Sequence, residues 1–145
     1  MKRAGRASPI LILGIASILG IIVMLFFAGG GPLVPADKFM EALKGGDVDT
    51  LTKHSYIDGN TPEQVKEKWT FTMTKVAPHF RFVSRMGQAK QLTEDTAVVK
   101  VEVIRDVLGA APYPETYELP MILVDGEWKV DVAQMERKMF PGLPR

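Results

Sequence analysis

The spacing of apolar residues changes twice along this chain of 145 residues. Residues 9–28 form one apolar run without any charge. Between Ala36 and Val76 apolar residues recur at the helical period of 3.6, and after Pro78 they alternate with a period of 2. The pattern therefore predicts an apolar span, then helices, then strands.

The apolar run has the length of a membrane span. Its twenty residues would form a helix of about 30 Å, which matches the hydrocarbon core of a bilayer. Lys2, Arg3 and Arg6 precede the run. The positive-inside rule then predicts a cytoplasmic tail (1–8), a signal-anchor helix in the cytoplasmic membrane (9–28) and a domain outside. A cleaved signal peptide is the alternative, because small residues follow Phe27, and the domain would then be secreted.

Three helices are predicted after a linker at residues 29–35, in the first half of a domain covering 36–145. The first has Phe39, Met40 and Leu43 on one face and Gly45 as its terminal glycine. Asp47 is the expected N-cap of a short second helix. The third starts at a capping box, Thr61-Pro62-Glu63-Gln64, and should stop before Pro78.

The second half of the chain predicts strands. Phe82 and Met86 alternate with polar residues, and so do four residues of the next strand: Ala97, Val99, Val101 and Val103. Asp125-Gly126 predicts a two-residue type I′ turn. That turn would pair Leu123 with Trp128, Met121 with Val130 and Leu119 with Val132 on one face. Pro120 indicates an edge or a bulge, because proline cannot donate to a ladder.

This order, helices and then an antiparallel sheet of at least four strands, is an α+β architecture. Two segments, FMEALKGGDVDTL (39–51) and VDGEWKVDV (124–132), resemble the opening helix and the last hairpin of the nuclear-transport-factor-two-like superfamily. Membrane-tethered bacterial domains similar to lumazine-binding-like domains are the nearest class. The resemblance covers residues 36–140 and implies a cone-shaped domain with about three helices packed on a bent sheet. It does not imply one activity, because the superfamily includes enzymes and non-catalytic pockets.

Charge and cysteine content exclude several functions. The net charge is +1, but after the three N-terminal cations 15 basic residues face 17 acidic ones. No basic stripe with aromatic residues is present, so nucleic acid is not an expected partner. The chain has no cysteine, which excludes disulfides, thiolate catalysis and cysteine-ligated zinc.

Candidate chemistry is sparse. His54, Tyr56 and Asp58 lie on a predicted loop, where they could bind a metal or move protons, or form only an exposed polar loop. His79 is expected to terminate the third helix. Trp69 and Phe71 could line a ligand pocket, although helical spacing also places Trp69 in the core. Tyr113 lies in a proline-rich loop as a lid or as loop packing. The motifs predict neither a catalytic residue nor a metal or cofactor site.

Three functions fit these features. The first is a non-enzymatic binding or assembly module, anchored through residues 9–28, with a small apolar ligand, a homodimer or an envelope protein as its partner. The second is an isomerase, dehydratase or hydrolase that acts in the cone through His54, Tyr56 or Asp58. The third is a spacer subunit that presents the membrane helix to an envelope complex.

Overall fold

The computed structural model describes residues 30–76, 81–105 and 113–145. Pro32–Arg145 form one compact unit. The predicted tail and anchor, residues 1–28, lie outside the described residues. Within the described part of the chain, no helix is both long enough and apolar enough to cross a membrane.

Three helices open the unit: α1 (Leu33–Gly45), α2 (Val48–His54) and α3 (Pro62–Lys75). Helix α1 begins inside the predicted linker, so residues 33–35 are helical. Its left-handed terminal residue is Gly46 (φ 71°), one position after the predicted Gly45, because the Gly46 N–H still donates to the carbonyl of Ala42.

The predicted caps of α2 and α3 are confirmed. The carboxylate of Asp47 accepts from the backbone N–H of Thr50 at 3.1 Å. At the start of α3 the Gln64 N–H donates to the Thr61 hydroxyl at 3.3 Å, and the Thr61 N–H donates to the Gln64 side chain at 2.9 Å. These bonds satisfy N–H groups that a helix start otherwise leaves without partners.

Five strands form one sheet in the order β1-β5-β4-β3-β2. Their bounds are β1 (Ser55–Tyr56), β2 (Phe82–Gln91), β3 (Thr96–Arg105), β4 (Glu115–Val124) and β5 (Glu127–Asp131). The α+β class is confirmed, but the sheet is mixed, because β1 pairs with β5 in parallel. The predicted antiparallel pairing is confirmed for β2 to β5. The parallel strand β1 was not predicted, because a two-residue strand is too short to give an alternating pattern.

The Asp125-Gly126 turn sets the predicted register. Both residues have positive φ (51° and 77°), as a type I′ turn requires. Leu123 pairs with Trp128 and Met121 with Val130. The predicted pair of Leu119 with Val132 does not form, because β5 ends at Asp131 and Val132 starts a 3₁₀ turn.

Pro120 is neither on an edge strand nor in a bulge, since β4 lies between β3 and β5. Its missing N–H coincides with the end of the β4–β5 ladder at Met121. The bulge is in β2, where Gly87 and Gln88 together oppose Lys100. A Cβ at Gly87 would lie 3.1 Å from the Lys100 carbonyl oxygen, so the close backbone approach favours glycine there.

The helices cover one face of the sheet. The alternation predicted for β3 is confirmed, since its inward residues are all buried. The largest fully buried side chains come from all three helices, from two strands (β3 and β4) and from the C-terminal segment (residues 138–145): Trp69, Phe39, Phe140, Met40, Leu43, Leu51, Leu119, Met121, Met139, Val99, Val101 and Val103. This apolar layer fixes the positions of the helices, the strands and the C-terminal segment, and therefore of the side chains that these elements present at the surface.

We expect Trp128→Ala to unfold much of a fragment comprising residues 32–145. Trp128 is only 7% exposed and packs in the core, and truncation of a buried tryptophan costs about 3–5 kcal/mol. Urea unfolding followed by circular dichroism measures the loss. Lys129→Ala, on the opposite face of β5, should stay within about 0.5 kcal/mol of the parent. Equal stability of the two variants would contradict the face assignment.

Candidate functional site

The segment from His54 to Asp58 is not the loop that the sequence predicted. His54 ends α2, Tyr56 lies in β1, and Asp58 lies in the exposed turn after it. The Tyr56 hydroxyl donates to Oδ1 of Asp58 at 2.9 Å. This bond raises the pKa of Tyr56 above its usual value, so the phenol stays protonated at neutral pH. Asp131 is the β5 partner of Tyr56, and burial raises its pKa.

The His54 imidazole, at the end of α2, is half-buried. Burial first, and then the charges of Lys53 and Lys38, lower its pKa below the ordinary 6.5. The ring is therefore neutral at physiological pH. Within residues 30–76, 81–105 and 113–145, no group of three or more histidine or acidic side chains is arranged to hold a metal ion. His79 lies outside the described residues.

Trp69 lies in the core with no exposed surface. Its indole N–H donates to the buried Ser55 hydroxyl at 2.8 Å, and its ring meets Phe39 edge to face, with 5.7 Å between centroids. This position matches the core alternative for Trp69. Tyr113, by contrast, is 82% exposed. It is the first described residue after the gap at residues 106–112.

An open groove of about 600 Å³ runs between α3 and the C-terminal segment. Its lining residues are Asn60, Gln64, Glu67, Lys68, Phe71, Thr72, Gly142, Leu143, Pro144 and Arg145. The Lys68 ammonium group donates to the backbone oxygen of Arg145 at 2.7 Å, and both residues line the groove. Gly142 has a φ of 87°, and a Cβ there would lie 3.0 Å from Val76, so glycine allows the segment to approach α3.

Phe71 is the exposed aromatic residue of this groove. The buried residues of α3 are Val65, Trp69 and Thr72. Phe71 follows Trp69 by two positions, or about 200° around the helix, so it faces away from the core. It is 64% exposed and lines the groove, whereas Trp69 does not. The sequence predicted both Phe71 and Trp69 as possible pocket residues. Their different directions on the helix place Phe71 in the groove and Trp69 in the core.

A second polar cluster, centred on Arg105, was missed by the sequence reasoning. The Arg105 guanidinium donates to Glu115 at 3.2 Å, to the Lys138 carbonyl at 3.0 Å and to the Met139 carbonyl. The central carbon of the guanidinium group, Cζ, lies 5.6 Å from the centre of the Phe140 ring. The Tyr117 hydroxyl and Arg105 together lower the pKa of Glu115. The sequence contains a signal for this cluster. Arg105 is two residues after Val103, so the alternation of β3 places it on the same inward face as Val99, Val101 and Val103.

Two arginine side chains, Arg105 and Arg145, hold the C-terminal segment that forms the other wall of the groove. Arg105 holds the chain at residues 138 and 139. The Arg145 guanidinium donates to the carbonyls of Ala133 at 3.1 Å and Met135 at 3.5 Å. Hydrogen bonds from charged donors are stronger than neutral ones. The segment is therefore fixed at both ends, so the groove has a defined wall on this side.

No protein-family model and no curated protein matches the chain. Solved structures do match. A ketosteroid isomerase-like protein from Erwinia carotovora atroseptica shares 15% identity over 67% of this chain and 85% of its own, with a TM-score of 0.44. An NTF-2 like protein of unknown function from Shewanella oneidensis MR-1 shares 13% over 66% and 88%, with a TM-score of 0.45.

A third match is a domain of unknown function with a cystatin-like fold from Nostoc punctiforme, at 9% identity over 68% of this chain and 70% of its own, with a TM-score of 0.49. These matches are in line with the resemblance to the nuclear-transport-factor-two-like superfamily that the sequence predicts, and the likeness concerns the fold alone. It carries no argument about activity or about the role of any residue.

We expect Ser55→Ala to destabilise the fragment of residues 32–145 by about 1–3 kcal/mol, because the buried Trp69 N–H would lose its acceptor. Urea unfolding followed by tryptophan fluorescence measures the change. Ser84→Ala, at a half-buried serine of β2, is the control and should change stability by no more than about 0.5 kcal/mol. No difference between the two variants would contradict a stabilising role for this bond.

The lowered pKa of His54 predicts a pH-dependent stability. The unfolded chain takes up a proton near pH 6.5, whereas the folded chain resists it, so this histidine's contribution is fully present above pH 6.5 and falls as the pH drops toward the lower folded value. Urea unfolding at pH 7.5, 6.5 and 5.5 should show the parent losing stability relative to His54→Gln. Other titrating groups are common to both proteins, so parallel pH profiles would contradict the assignment.

Proposed function

We propose that the chain is a single-pass membrane-anchored, non-enzymatic binding or assembly module at the outer face of the cytoplasmic membrane. The groove along α3 carries the binding part of the proposal. It combines an exposed aromatic ring, Phe71, with polar groups from both walls. Its volume of about 600 Å³ lies within the range of small-molecule sites.

The interior supports a module without a reaction centre. Apart from Ser55 and Thr72, the buried residues of the described part are hydrophobic. The groups considered for acid–base chemistry are not part of this buried interior: the Tyr56 hydroxyl donates to the exposed Asp58, and His54 is half-buried with a lowered pKa. The structure therefore favours binding at a surface groove over chemistry inside the fold.

The sequence supports the membrane part. Residues 9–28 carry no charge and are long enough to span a bilayer, and all three cations of residues 1–8 precede them. This asymmetry favours a cytoplasmic N-terminus and an outer domain. Anchorage would hold the groove near the membrane, where small ligands and envelope proteins are accessible.

We expect the full chain to stay in the membrane fraction after an alkaline carbonate wash, because a hydrophobic span does not depend on electrostatic attachment. Immunoblotting of pellet and supernatant checks this. A variant lacking residues 1–30 is the control and should appear in the supernatant. Release of the full chain at its unprocessed mass would contradict anchorage, and an N-terminus near Gly29 would identify a cleaved signal peptide.

A further inference from the structure

The groove offers hydrogen-bond donors in its polar half. An ammonium group has three N–H donors, and Lys68 uses one of them on the backbone oxygen of Arg145. Gln64 accepts from the Thr61 N–H through its oxygen, which leaves its NH₂ group for other acceptors. Lys68 and Gln64 are one helical turn apart on α3, so both donors serve the same stretch of the groove.

The other half of the groove is apolar. Phe71 lies almost one turn beyond Lys68 and presents an exposed ring, while Leu143 and Pro144 form the facing wall. An aromatic ring, an aliphatic side chain and a proline ring suit an apolar or aromatic group. Donors and apolar surface thus follow one another along the same helix face.

The charged groups of the groove favour an anion. Lys68 is half-buried, whereas Glu67 is exposed. A charge interaction is stronger where water is partly excluded, so Lys68 has the larger effect on a ligand lying in the groove. Asn60, which also lines the groove, donates its side-chain N–H to the Asp58 carbonyl.

We propose that the groove binds a small carboxylate with an apolar or aromatic body, its carboxylate on Lys68 and Gln64 and its body against Phe71. This inference rests on the proposed binding function and adds the chemical class of the ligand. Lysine serves as the charged anchor, and Phe71 supplies the contact that selects an apolar body.

A pair of isosteric probes tests the ligand class: 3-phenylpropionate and its neutral amide, 3-phenylpropanamide. Isothermal titration calorimetry uses the full chain in phosphatidylcholine nanodiscs, with empty nanodiscs as the blank. We expect the acid to bind about tenfold more tightly than the amide, because a hydrogen bond to a charged group stabilises more than a neutral one. Lys68→Gln should remove this preference, and Lys68→Arg should retain it.

The apolar contact has its own variant. Phe71→Ser should weaken binding of both probes several-fold, and the exposed position of Phe71 means that the fold should survive, which circular dichroism checks. The control is Lys66→Gln on the same helix, since Lys66 lies outside the groove and pairs with Asp49 at 2.7 Å. This variant should bind both probes as the parent does.

The outcomes separate the two proposals. Equal affinity for acid and amide, with both weakened by Phe71→Ser, would overturn the carboxylate class and leave the binding function intact. Tighter binding of 3-phenylpropylamine than of the acid would also overturn it and identify Glu67 as the anchor. An absence of binding for all three probes would overturn both the ligand class and the groove as a binding site.

Discussion

The hydrogen bond from the Trp69 indole to the Ser55 hydroxyl joins the helical layer to the edge of the sheet. Both residues are buried, so this bond lies inside the core and not at the surface. Phe39 packs edge to face on the same indole, so α1, α3 and β1 meet at one ring. A buried indole N–H is costly without an acceptor, so Ser55 must sit where β1 can pair with β5.

This core contact also determines which side of α3 is free. Once Trp69 faces inward, helical geometry turns Phe71 outward and places Gln64 and Lys68 on the accessible side. The C-terminal segment then completes the groove. Arg105 and Arg145 hold that segment by donating to backbone carbonyls, and Gly142 lets it lie close to Val76. Core packing and the binding surface are therefore two faces of the same helix.

Local patterns predicted those parts of the fold that depend on neighbouring residues. The Thr61 capping box, the Asp47 cap and the Asp125-Gly126 register all involve groups a few residues apart, and all are present. The alternation in β3 likewise predicted its buried face. Predictions failed where the pattern was too short, as in β1, or where it ended early, as for Val132 beyond the last residue of β5.

The sequence by itself determined the starts of α2 and α3, the alternating strands, the hairpin register and the apolar run at residues 9–28, because each depends on spacing along the chain. Only the tertiary structure decided that β1 is parallel to β5, that Arg105 holds the C-terminal segment and that α3 borders a groove. Lys68 and Arg145 are 77 positions apart, and Arg105 and Met139 are 34 apart. Such contacts form when the core brings distant segments together, and no local periodicity records them.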